Sequence, residues 1–166
     1  MAERTIRVFL DSNVIISGLL SEKGSPRIIL DILSLGFPFL IGLTGRYNLV
    51  EIERNLKKKL PDLLPVYLKN LPKMNLRAVP LPKPGELKQF SGIIANKDVP
   101  VLVSAVKGRA HFFVTGDKHH FEKIKTAPSV PFKILTPGEF LDLIVPEILK
   151  KIGKEVNRCI KSGKPR

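Results

Sequence analysis

The sequence predicts an α/β domain built on a mainly parallel sheet covered on both faces. Three observations carry this. Short apolar runs of three to seven residues recur along the chain. Segments with helical spacing separate them, as parallel strands require crossovers. Capping signals, Asp-Ser-Asn after Leu10 and Thr-Pro-Gly-Glu after Leu135, mark where strands give way to helices.

Arg4 to Leu10 alternates and then runs apolar, so it reads as a strand, and Asp11-Ser12-Asn13 opens a helix reaching Leu20. Ser25-Pro26 resembles a cap with proline at the first helical position. Ile28, Ile29, Ile32, Leu33 and Leu35 continue that helix until Gly36. Phe37 to Leu43 is the second strand. Leu49, Ile52, Leu56 and Leu60 give Arg46 to Leu60 one apolar face, and Pro61 ends that helix.

Six of the 14 prolines fall between Pro61 and Pro84, which predicts short helices, stiff loops and a strand near Leu76 to Leu81. Asp98-Val99-Pro100 starts a helix running to Gly108. His111 to Val114 is a buried strand closed by Thr115-Gly116-Asp117, and Phe132 to Leu135 is the last strand. Thr136-Pro137-Gly138-Glu139 is a capping box leading a helix through Ile144. From Pro146 the chain carries seven Lys or Arg against Glu147 and Glu155, with an apolar stripe of Ile148, Leu149, Ile152, Val156 and Ile160. It reads as a docked basic helix, frayed after Ser162. One domain is expected, residues 1–145 forming its body and 146–166 a basic helix and tail of the same unit.

Composition narrows the function. Twenty-eight Lys plus Arg against 15 Asp plus Glu leave a formal charge of +13, which favours a polyanion, with nucleic acid ahead of lipid. The longest apolar runs are about seven residues, while a membrane helix needs roughly 20, so no membrane span is expected. The first residues carry an acid and lead into an apolar run too short for a signal-peptide core, which predicts a cytoplasmic protein. The single Cys159 excludes an internal disulfide framework and a multi-cysteine zinc site.

Against this basic background, Asp11 directly follows the first strand, Asp117 follows the His111–Val114 strand within three residues, and Asp98 opens a helix. In an open parallel sheet, ligands collect beyond the carboxyl ends of the strands, so these acids share one crevice, with Glu51 entering from the third helix. Oxygen-only ligands suit Mg²⁺ or Mn²⁺, and a bound ion activates water for phosphoryl displacement. Each acid also has an ordinary reading. Asp11 and Asp98 are good helix caps, Asp117 fits a turn, and Glu51 fits a surface pair with Arg54 or Asn55.

Four ordered blocks resemble PIN-domain nucleases: Val8-Phe9-Leu10-Asp11-Ser12-Asn13-Val14, Tyr47-Asn48-Leu49-Val50-Glu51-Ile52, Asp98-Val99-Pro100-Val101-Leu102 and Phe113-Val114-Thr115-Gly116-Asp117. Ile134 to Leu141 resembles the VapC-like branch of toxin components of toxin-antitoxin pairs. The resemblance covers roughly Thr5 to Leu143. It implies a three-layer α/β/α fold and Mg²⁺- or Mn²⁺-dependent cleavage of RNA. Asp11, Glu51, Asp98 and Asp117 would be the catalytic acids, of which Asp11, Asp98 and Asp117 hold metal, while Asn13 and Thr115 support them. It also implies an antitoxin partner, and relatives often form homodimers. Many relatives carry a further aspartate two or three residues after the last one, where this chain has His119 and His120. One ion is therefore expected rather than two.

Arg46, Arg54, Lys57, Lys58 and Lys118, with Lys59 and the basic tail, are the candidates for phosphate contact. Two other readings compete. One is a non-catalytic RNA-binding protein on the same fold, which four carboxylates facing phosphate argue against unless metal is present. The other is a phosphatase with an aspartate nucleophile, which wants an acid two residues after Asp11, where Asn13 stands.

Overall fold

A computed structural model describes residues 4–124 and 130–163. Five parallel strands form one sheet: β1 (Ile6–Leu10), β2 (Leu40–Gly45), β3 (Leu76–Val79), β4 (Phe112–Val114) and β5 (Lys133–Leu135), in the order β3-β2-β1-β4-β5. Among the described residues, seven α-helices cross over between and beyond them: α1 (Ser12–Leu20), α2 (Ser25–Ser34), α3 (Arg46–Lys59), α4 (Leu64–Asn70), α5 (Pro84–Leu87), α6 (Val99–Lys107) and α7 (Pro137–Ser162). Short 3-10 turns occupy Pro61–Leu63, Leu71–Met74, Lys88–Phe90 and Lys118–Ile124. The expected three-layer α/β/α arrangement with a parallel sheet is what forms.

Alternation along β1 divides the core. Val8 and Leu10 face a cluster with Val14, Ile15, Ile29, Leu33, Ile52, Tyr67 and Phe140. Phe9 faces the opposite cluster with Leu43, Leu102, Phe113, Phe121 and Ile134. Val8, Phe9 and Leu10 are all completely buried, as expected of a central parallel strand with helices on both sides. Chain order reverses at β1, which pairs with β2 on one side and β4 on the other. The carboxyl ends of β1 and β4 therefore flank a topological switch point, where such sheets open a crevice.

Several boundaries differ from the sequence reading, each for a local reason. The second strand begins at Leu40 and extends to Gly45. Its ladder is set by pairing Ile6 with Leu40 and Gly45 with Val79, and Phe37 stacks on Phe39 outside it, ring centroids 5.2 Å apart. Gly24 rather than Ser25 is the N-cap of α2, at φ 114°, a backbone state that suits glycine.

The largest difference is α7. The helix expected to stop at Ile144 and the tail from Pro146 are one continuous element with Pro146 inside it. Phe140, Ile144 and Ile148, spaced by one helical turn each, are buried and anchor the helix on both sides of the proline. Docking ends there. Leu149, Val156 and Ile160 are 65%, 50% and 73% exposed, so the stripe read as a docked face is buried at Ile148 and lies largely in solvent beyond it, with Lys151 over the Phe39 ring at 4.9 Å near its base.

Candidate metal centre

Asp11 sits between the last residue of β1 and the first of α1, as the N-cap of that helix in extended backbone conformation. The residue is 9% exposed. Both carboxyl oxygens are held. Oδ1 accepts from the Ser12 N–H at 2.7 Å and from Asn48 Nδ2 at 3.4 Å. Oδ2 accepts from Thr115 Oγ1 at 2.8 Å and Asn13 Nδ2 at 3.3 Å. Burial pushes the carboxyl up from 3.8 to about 6, the bonds from Thr115 and Ser12 oppose that, and the charges of Glu51 and Asp98 add to it.

Thr115 is fully buried just beyond β4. Its hydroxyl, which donates its hydrogen bond to Asp11, accepts from the Asp117 N–H at 3.1 Å and from Asn13 Nδ2 at 3.3 Å. Asn13 Oδ1 accepts the Gly116 N–H at 2.9 Å. The turn after β4 is thereby fastened to the start of α1, and Asp117 is aimed into the crevice.

Asp98 is the N-cap residue of α6 by position, yet its side chain makes no capping bond. Instead Asp98 Oδ2 is buried without a hydrogen-bond partner. His120 Nδ1 lies 3.9 Å from it, too far for a hydrogen bond, and 3.3 Å from Asp117 Oδ2. The two histidines therefore part company. His120 stands between two of the acids, while His119 points out, 87% exposed and paired with Glu122 at 3.0 Å. Phe121, 2% exposed, packs edge-on against Phe113 with ring centroids 4.8 Å apart and holds this loop to the core.

Glu51 accepts from Ser12 Oγ at 3.0 Å, not from the surface partners that its ordinary reading supplied. The structure thus gathers Asp11, Glu51, Asp98 and Asp117 at one end of the sheet, with Asn13 and Thr115 among them. Sequence reasoning missed Ser12 and Asn48. Both lie within the four sequence blocks, but neutral polar side chains in a helix's first turn carry no distinguishing pattern.

Arg46, Arg54, Lys57 and Lys58 are exposed along α3. Lys118 is differently placed: its Nζ donates to both oxygens of Glu139, at 2.7 and 2.8 Å, and Glu139 belongs to the capping box of α7. Beside the acids opens a depression of about 320 Å³ lined by Asn13, Ser17, Pro26, Asp117 and Pro137. A larger cavity of about 730 Å³, lined by Arg4, Ile6, His111, Phe132 and Lys133, lies at the opposite, amino ends of β1, β4 and β5, away from this chemistry.

Among the described residues, no three or more His, Cys, Asp or Glu side chains are already arranged as a metal cage. The donor set nevertheless fits a hard divalent ion. Such ions are held by one or two carboxylates and complete their shell with water and substrate phosphate. Asp98 Oδ2 is buried without a hydrogen-bond partner, and the Asp11 carboxyl is disfavoured as an anion by its surroundings. A cation would relieve both.

The PIN domain family model matches residues 7–119. Among solved structures, the chain is similar to VapBC2 from Rickettsia felis, bound to a DNA fragment from their promoter, at TM-score 0.56 and 17% identity, covering 79% of this chain and 98% of that one. It is also similar to FitAcB from Neisseria gonorrhoeae (TM-score 0.56, 19% identity, 78% and 97% covered). VapBC-1 from nontypeable Haemophilus influenzae is comparable (0.55, 15%, 80% and 99%). No curated protein sequence matches the chain. At these identities the structural likeness speaks for the fold, and the family match, spanning more than half of the chain and all four acids, speaks for descent: the chain belongs to the PIN-domain family.

Proposed function

We propose that this protein is a divalent-metal-dependent endoribonuclease that hydrolyses RNA phosphodiester bonds, acting as the toxin of a toxin-antitoxin pair. The observation that carries the reading is the buried Asp11, held by four donors within the fields of Glu51 and Asp98, in a chain of net charge +13. Carboxylates facing a polyanion are repulsive unless a cation intervenes.

In this reading Asp11, Asp98 and Asp117 would hold one Mg²⁺ or Mn²⁺ ion. When bound, the ion supplies a water of lowered pKa and neutralises charge on the scissile phosphate. Glu51, held through Oε2 by Ser12, orients the attacking water and takes its proton. Thr115 and Asn13 keep Asp11 from rotating out of place. Arg46, Arg54, Lys57 and Lys58 on the exposed side of α3 position the RNA backbone, and Lys118 joins them only by giving up Glu139.

The fold likeness to VapBC2 and FitAcB supports an antitoxin as protein partner. Homodimerisation belongs to the same reading and is checked by light scattering. Among the described residues no helix is long and apolar enough to cross a membrane.

The test is incubation with end-labelled structured RNA and Mg²⁺ or Mn²⁺, with chelator, Asp11→Asn and Asp98→Asn as controls. Cleavage that needs metal and both aspartates supports the proposal. Metal-independent cleavage, or equal cleavage by the variants, sinks it, and RNA binding without cleavage favours the non-catalytic alternative.

A further inference from the structure

Asn48 has no solvent exposure, and its amide closes a connection between two acids on different elements. Nδ2 donates to Ser12 Oγ at 3.0 Å and to Asp11 Oδ1 at 3.4 Å. Since the Ser12 hydroxyl accepts from Asn48, its own proton is directed at Glu51 Oε2, 3.0 Å away. The Ser12 N–H meanwhile donates to Asp11 Oδ1. One serine and one amide thus tie the carboxylate at the end of β1 to the carboxylate on α3.

This arrangement works against stability. Asn48 Oδ1 is buried with no hydrogen-bond partner, and an unsatisfied buried acceptor lowers stability by the lost solvation of that group. Turning the amide over would not help, because it would set the carbonyl oxygen against the Asp11 carboxylate. Gly45 is part of the same construction. A Cβ there would lie 2.6 Å from Asn48 Oδ1 and 2.9 Å from Ser104 Oγ, so the absence of a side chain at the end of β2 makes the room that the amide occupies. An apolar residue at position 48 would avoid the orphaned oxygen; what it would lose is the grip on Asp11 and Ser12.

We infer that Asn48 and Ser12 are positioning residues that lock Asp11 and Glu51 into one mutual geometry and so set the affinity of the acid cluster for a divalent cation. The inference rests on the metal-dependent reading above and adds to it which neutral residues tune the site. Groups that orient metal ligands change metal affinity by about 10- to 100-fold when removed.

The test is Mn²⁺ binding to the full chain, by calorimetry and by Mn²⁺ electron paramagnetic resonance, for wild type, Asn48→Ala, Ser12→Ala, Ser12→Thr and the double alanine variant, with circular dichroism confirming the fold. Asn48→Ala and Ser12→Ala should each weaken Mn²⁺ binding by about 10-fold or more. The double variant should lose little beyond the larger single loss, because the two residues act in series. Ser12→Thr, which keeps the hydroxyl, should retain wild-type affinity. Should Asn48→Ala not fold, the contrast between Ser12→Ala and Ser12→Thr decides. Folded alanine variants that bind Mn²⁺ like wild type overturn the inference alone. A wild type that binds no Mn²⁺ overturns the reading beneath it as well.

Discussion

Thr115 Oγ1 donates a 2.8 Å hydrogen bond to Asp11 Oδ2, and both residues are buried although they follow strands far apart in sequence. The same hydroxyl accepts the Asp117 N–H, so one oxygen fixes two acids. Replacing Thr115 with Val keeps the shape and removes every one of these bonds. The expected cost is about 1–3 kcal/mol of stability, measured by urea unfolding, together with an upward move of the Asp11 carboxyl, read by carbon NMR.

Asp11 also makes ion-free stability fall with rising pH. Its folded value is about 6 against an ordinary 3.8. The native state therefore holds a proton that the unfolded chain has lost, and stability contributed by this group is full below about pH 4 and gone above about pH 6. The shift corresponds to something on the order of 3 kcal/mol. Asp11→Asn should remove that dependence, so the chelator-treated variant should gain on wild type between about pH 4 and pH 7 in chemical denaturation.

Adding Mg²⁺ or Mn²⁺ at neutral pH should reverse the penalty. An ion binding only the folded chain at about 100 times its Kd stabilises by about 2.7 kcal/mol. Differential scanning fluorimetry should show a rise in Tm for wild type, abolished by chelator and absent in Asp98→Asn.

The cations should separate by their engagement. Removing one phosphate-binding cation lowers the slope of log affinity against log salt by about 0.7 for single-stranded RNA. Arg54→Ala and Lys57→Ala, both exposed on α3, should each lower that slope, measured with a non-cleavable RNA. Lys118→Ala should lower it less, because Lys118 is already bound to Glu139.

Gly45→Ala should disturb the site without touching an acid. The new Cβ meets Asn48 Oδ1 at 2.6 Å and Ser104 Oγ at 2.9 Å, and such overpacking costs about 1–3 kcal/mol. Mn²⁺ affinity measured on the folded variant should fall with it.

Much of this protein was legible in its sequence by itself. Short apolar runs with a buried centre leave a clear signal, which is why β1, β4 and β5 and the helices between them fall close to where periodicity put them. The four acids were readable because each stands at a strand end or in a helix at a spacing that the parallel architecture constrains. Tertiary structure alone decided the rest. Whether His119 or His120 faces the acids depends on how Phe121 packs on Phe113, and whether Lys118 is available depends on Glu139, distant in sequence. The α7 stripe has the spacing of a docked face, yet beyond Ile148 its residues Leu149, Val156 and Ile160 stay half or more exposed. Ser12 and Asn48 meet only because α1 and α3 pack together. Periodicity reports which side of an element is apolar, whereas the partner of a polar side chain is set by contacts between segments remote in the chain.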